Sequence, residues 1–225
     1  MFYAVVRFFV AGGSRVAYRL RLRGLEKVPK QRGFVLAPSH RSMMDIPFIA
    51  CATPRPIRYM GKAAAFRVPL LGRLFTMLGG FPVERDGTDR KAVRDSIAML
   101  EGGEVLLVYP EGSRQHGPKI APLQPGAAYL ALRAGVPIVP VGIAGSEEIM
   151  RAHDGKFPKF KHCAMVVGEP INPPARSGRG LVPRAEVDAL SARLSEELQR
   201  LLAEAYVLRD GRPPSASAPE RAEHA

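Results

Sequence analysis

Short apolar runs alternate with stretches of helical spacing along most of this chain, and that alternation leaves few folds open. The runs are GFVLAP (33–38), IRYM (57–60), FPVER (81–85), EVLLVY (104–109), VPIVPVGI (136–143) and CAMVVG (163–168). Each is the length of a buried strand and too short for a core helix. Between them PLLGRLFTMLGG (69–80) and PGAAYLALRAG (125–135) start on Pro and stop on Gly, as helices often do. TDRKAVRDSIAMLEGG (88–103) offers Thr88 as N-cap and Val93, Ile97 and Leu100 at helical spacing. A last helix over 184–207 places Val187, Leu190, Leu194, Leu198, Leu201 and Leu202 on one face. Strands alternating with helices predict a single α/β layered domain with a mixed, mostly parallel sheet flanked by helices. Pro137 and Pro140 place VPIVPVGI on a sheet edge or in the wall of an apolar groove, because proline suits a central strand poorly.

Polar residues gather where strands end, and ligands bind at such places in α/β sheets. SHRSMMD (39–45) follows GFVLAP. On an unbroken helix, positions five apart point roughly 140° away from each other, so His40 and Asp45 would not meet. Pro47 disfavours helix through 43–46. The stretch therefore reads as a turn, with Asp45 at or near the N-cap of a short helix and folded back toward His40. A His–Asp dyad is a general base with an oriented imidazole. The same spacing also occurs as a surface histidine beside a helix cap.

In GGFPVERDG, Arg85 offers a guanidinium fork to a phosphate; the alternative is a solvated or salt-bridged arginine. In VYPEGSRQ (108–115), a Pro-Glu-Gly turn exposes backbone amides, and Gly112 lets a ligand approach. There Glu111 can accept from a hydroxyl or orient a cation, and Ser113 and Arg114 follow it. A plain turn with a capping serine is the other reading. No G-x-S-x-G, G-x-x-x-x-G-K-[ST] or G-x-G-x-x-G occurs, and no cluster has metal-ligand spacing.

Lys and Arg number 33 against 21 Asp and Glu, a net charge of +12. That balance suits an anionic partner, or simply keeps the chain soluble. The basic residues are not interleaved with aromatics as a nucleic-acid stacking surface would be, so no nucleic-acid partner is expected. Cys51 and Cys163 sit among apolar residues and read as reduced core thiols. Residues 1–23 hold Phe2, Tyr3, Phe8 and Phe9, then Arg15, Arg19, Arg21 and Arg23. They read as an amphipathic helical segment at a membrane interface, the alternative being a helix packed on the domain. The main folded domain then spans 24–208, and a Pro-, Ser- and Ala-rich tail over 209–225 is expected to be disordered.

Taken in order, these segments resemble the 1-acylglycerol-3-phosphate acyltransferases, a family marked by H-x-x-x-x-D. SHRSMMD looks like the first motif. KAAAFRVPLLGRLFTMLGGFPVER, with Lys62, Pro69, Gly72, Gly79, Phe81 and Arg85 in register, looks like the second. YPEGSR and VPIVPV look like the third and fourth. The resemblance runs from about Gly24 to Pro170 and departs from the family pattern at Ser39, Glu84, Tyr109, Ser113 and Gln115, which bears on acceptor identity.

The resemblance implies a mechanism. His40, held by Asp45, would take the proton from a lysophosphatidic acid hydroxyl, which attacks an acyl thioester and gives phosphatidic acid. Arg85 and Lys62 would hold the phosphate, with Glu111, Gly112, Ser113 and Arg114 shaping the acceptor site. No cofactor or metal is implied; acyl-CoA or acyl-carrier protein is a co-substrate. The expected setting is the cytoplasmic face of the cell membrane, peripheral or monotopic, against anionic lipids. Acylation of another lysolipid such as lyso-ornithine lipid, a thioesterase-like hydrolase and a non-catalytic binding module are the competing expectations.

Overall fold

The computed structural model describes residues 2–84, 89–150, 158–175 and 180–213. Its strands are β1 (Arg21–Arg23), β2 (Phe34–Pro38), β3 (Ile57–Lys62), β4 (Gly80–Val83), β5 (Val105–Leu107), β6 (Ile138–Ala144) and β7 (Ala164–Val167). They form one sheet in the order β1-β7-β6-β2-β5-β3-β4. β2 to β6 run parallel, β7 is antiparallel to β6, and β1 is parallel to β7. The sheet is thus mixed and mostly parallel, flanked by helices. Every residue of β2, β5, β6 and β7 is buried. Strands covered on both faces read as continuous apolar runs, which is why they stand out in the sequence.

The helices are α1 (Phe2–Ala17), α2 (Asp45–Ile49), α3 (Ala63–Phe66), α4 (Pro69–Met77), α5 (Arg90–Glu101), α6 (Gly126–Ala134), α7 (Ser146–Ile149) and α8 (Arg184–Asp210). From β2 to β3 to β4 the chain moves one way across the sheet; from β4 to β5 to β6 it moves back. Right-handed crossovers therefore put α2 and α4 on one face and α5 and α6 on the other. The core agrees. Phe34 and Leu36 of β2 pack with Ala11 of α1, Phe48 and Ile49 of α2. Val35 and Ala37 point the opposite way, to Leu130 of α6 and Leu194 and Leu198 of α8. Gly142 lets α8 lie directly on β6, since a Cβ there would sit 2.3 Å from the Leu201 carbonyl carbon.

Some expectations need correction. VPIVPVGI is no edge strand, for β6 lies between β7 and β2. The Pro140 carbonyl accepts from Gly168 N at 2.9 Å, one residue past the end of β7. The N–H that proline lacks would point to that same flank, beyond the last paired residue Val167, so no ladder bond is lost. Arg21–Arg23, read as part of the interface segment, instead pair with Ala164–Val166 as the edge strand. Asp89 caps α5, accepting from Ala92 N at 2.9 Å, and Thr88 lies outside the described residues. α8 continues to Asp210, where Gly211 in the left-handed region ends it. Residues 214–225 of the expected disordered tail lie outside the described residues. Cys51 and Cys163 are free and buried, and burial raises both thiol pKa values, that of Cys163 well above its ordinary value.

Candidate active site

The C-terminal ends of the parallel strands carry the polar residues. β2 ends at Pro38, and residues 39–44 turn into α2, whose first residue is Asp45. The turn wraps around the Asp45 carboxylate, which is completely buried. Its Oδ2 accepts from Arg41 N at 2.6 Å and Ser42 N at 2.8 Å, and lies 2.9 Å from His40 Nδ1. Its Oδ1 accepts from Ser146 Oγ at 2.5 Å. A carboxylate bonded to backbone amides has only acceptors to offer, so His40 presents Nδ1–H to it and keeps Nε2 as an acceptor. The His40 side chain is 15% exposed.

Three further contacts fix the imidazole. His40 N donates to Glu111 Oε1 at 2.9 Å. The His40 carbonyl accepts from Gln115 N at 2.8 Å. The Tyr109 ring stacks on the imidazole with centroids 3.8 Å apart and planes at 22°. The Tyr109 hydroxyl is buried and finds no hydrogen-bond partner among the described residues. Burial, with the Asp45 charge adding to it, holds that phenol well above its ordinary pKa.

Glu111 faces inward. Beyond His40 N, its Oε2 accepts from Ala121 N at 3.1 Å and lies 3.5 Å from Arg41 Nη1. Arg41 is fully buried and donates through Nη2 to the Lys119 carbonyl at 3.0 Å. The carboxylate expected to meet an acceptor hydroxyl or a cation is thus engaged in tying the 108–121 loop to the His40 turn. Gly112 holds that loop with φ 72°, its N–H donating to the Tyr109 carbonyl at 3.1 Å. Ser113 is exposed and its Oγ accepts from Gln115 Nε2 at 2.9 Å, while Arg114 is half-buried.

Lys62 ends β3 with an exposed side chain, in register with Val83 of β4. Arg85 lies outside the described residues. Glu84 before it pairs with Arg67 at 3.0 Å on the surface. The structure therefore joins His40, Asp45 and Glu111 in one network, leaves Ser113 and Lys62 exposed at neighbouring strand ends, and adds Ser146, Tyr109 and Arg41. No local pattern marks Ser146, which reaches Asp45 from 101 positions away.

Among the described residues, three serine hydroxyls near the dyad are engaged away from His40 Nε2. Ser39 Oγ accepts from Ile143 N at 3.0 Å, Ser42 Oγ donates to the Met150 carbonyl at 2.6 Å, and Ser146 Oγ serves Asp45. Chemically, the site is a poised base whose nucleophile has to come from outside the protein.

Several known proteins are similar to this chain. A 1-acyl-sn-glycerol-3-phosphate acyltransferase of Bacillus subtilis is 28% identical over 171 residues, 73% of this chain and 81% of its own length. One of Streptococcus pneumoniae is 31% identical over 123 residues, 53% of this chain and 45% of the relative. A chloroplast relative from Brassica napus is 26% identical over 157 residues, 68% of this chain, which spans only 45% of that protein. The crystal structure of the 1-acyl-sn-glycerophosphate (LPA) acyltransferase from Thermotoga maritima shares the fold, with a TM-score of 0.70 at 24% identity over 90% of this chain and 80% of that one. The sequence model of acyltransferases matches residues 19–144, a span that takes in the dyad and every strand end from β2 to β6, and by that match the chain belongs to the acyltransferase family.

Proposed function

We propose that this chain transfers a fatty acyl group from an acyl thioester to the free hydroxyl of 1-acyl-sn-glycerol 3-phosphate, giving phosphatidic acid. The observation that carries this is the His40–Asp45 pair with Asp45 engaged on both oxygens and, among the described residues, no serine or cysteine bonded to the imidazole. His40 Nε2 takes the hydroxyl proton while the oxygen attacks the thioester carbonyl. The tetrahedral adduct then expels the thiolate, which receives the proton from His40. Asp45 holds the ring and balances the imidazolium that forms. Acyl-CoA or acyl-carrier protein serves as donor. The lysolipid phosphate is met by Lys62 at the end of β3 and by Arg85, two positions past β4 in the sequence, with Gly112, Ser113 and Arg114 of the 108–121 loop bordering the acceptor. Glu111 acts behind them by positioning His40. The net charge of +12 suits an anionic acceptor and a membrane surface as the place of reaction.

The test is acyl transfer by purified protein in lipid vesicles, with lysophosphatidic acid and labelled acyl-CoA or acyl-carrier protein. Wild type is expected to form phosphatidic acid, and His40→Ala to lose on the order of 10²- to 10⁴-fold in turnover. Free fatty acid as the sole His40-dependent product would make the chain a hydrolase instead.

A further inference from the structure

Large apolar side chains are exposed mostly on the face of the sheet that carries α1, α2 and α4. On α1, Phe8 and Phe9 are 69% and 70% exposed, although the same helix buries Ala11 and Ser14. Beside the dyad, Met43 and Ile46 stand out from the turn into α2. α4 is the least expected case. Gly72 is its buried side, pressed against Phe66, while Leu70, Leu71, Leu74 and Met77 all point outward, Leu70 at 83% exposure. A surface helix normally turns its apolar stripe to the core, so this one is inverted. It does belong to the α1 and α2 face: Tyr59 packs with the core under α1 and α2, and its hydroxyl donates to the Phe75 carbonyl of α4 at 3.4 Å.

The exposed charges carried by helices α1 to α4 share one sign, while Glu26 and Glu84 lie in connecting segments and Glu84 pairs with Arg67. Helices α1 to α4 contain a single carboxylate, the buried Asp45, while Arg15 and Arg73 are exposed among the apolar side chains. Many of the other carboxylates lie on α8, which holds Glu186, Asp188, Glu196, Glu197, Glu204 and Asp210. A protein partner would call for a packed patch with few charges at its centre. Separate protruding apolar chains with arginines between them suit a lipid boundary, where the arginines reach anionic headgroups.

We infer that α4 is a second membrane-inserting element, so that an anionic phospholipid bilayer is gripped by α1 and α4 together. This rests on the acyltransfer reading only for its purpose; the contact itself is read without turnover. The chain has no tryptophan, so Phe8→Trp, Leu70→Trp and Leu181→Trp each create a single fluorophore. Leu181, 96% exposed beside the start of α8, is the control on the opposite face.

The probe is a vesicle of phosphatidylglycerol and phosphatidylcholine with brominated acyl chains. Phe8→Trp and Leu70→Trp are expected to shift to the blue and be quenched, and Leu181→Trp to do neither. Leu70→Glu with Leu74→Glu is expected to lower partitioning on the order of tenfold or more, from the apolar burial lost. Quenching of Phe8→Trp without Leu70→Trp would confine docking to α1 and overturn the inference. So would a blue shift of Leu70→Trp that follows protein concentration without lipid, since a second copy would then cover the face. Absence of acyl transfer by wild type, with the quenching pattern intact, would sink the proposed reaction and leave the docking face standing.

Discussion

At the scale of single residues, Asp45 is held by more donors than a plain helix cap needs. Among the described residues, Ser146 supplies the one donor that does not come from the turn itself. Its removal leaves a buried carboxylate oxygen without a partner, and hydrogen bonds to charged groups contribute about 1.5–3 kcal/mol. Ser146→Ala is expected to lower kcat by roughly tenfold or more at nearly constant KM, and Ser146→Thr to restore most of it. Steady-state kinetics of the two variants check this; equal losses in both would mean only that the pocket is sensitive to shape. Tyr109 makes the opposite case. Its ring steadies His40, but its hydroxyl is buried without a partner among the described residues. Tyr109→Phe keeps the stack and removes the orphan, so it is expected to raise stability by about 1 kcal/mol, measured as a higher denaturation midpoint at unchanged slope.

At the scale of elements, what was legible in the sequence followed from burial. Strands β2, β5, β6 and β7 are covered on both sides and leave apolar runs, so their existence could be read directly. β1 could not, because Arg-Leu-Arg at an edge has no such run. The position of β6 was misread because proline tolerance depends on where β7 stops, a fact of the neighbouring strand. The turn at 39–45 was readable because helix geometry and Pro47 argue locally. The engagement of Glu111 and Ser146 was not, since their partners lie 71 and 101 positions away. The cap of α5 lends itself to a pH test. Hydrogen bonds from Ala92 N and Glu84 N lower the Asp89 pKa below its ordinary value. Its contribution is therefore present above the unfolded-state pKa and lost as pH falls through the lower folded value. Amide hydrogen exchange at the start of α5 should quicken over that acidic window, and Asp89→Asn should flatten the dependence.

At the scale of the whole molecule, the sheet is held between two unequal covers. α5, α6 and α8 form an ordinary packed layer, with α8 seated on β6 through Gly142. Gly142→Ala drives a methyl into the Leu201 backbone, which cannot step aside as a side chain could. It is expected to destabilise the protein by about 1–3 kcal/mol, read from chemical denaturation. The other cover is thinner, and its outermost helix continues through Arg19 and Leu20 into β1, where Arg21 N donates to the Cys163 carbonyl at 3.0 Å. The first helix is thus anchored in the sheet and does not hang from it on a tether. Anyone seeking a better-behaved protein by trimming residues 1–23 would strip the sticky helix and, with it, the edge strand. The bare flank of β7, Ala-Met-Val-Val, would then be open to pair with other chains, and the shortened protein should aggregate more readily than the full one.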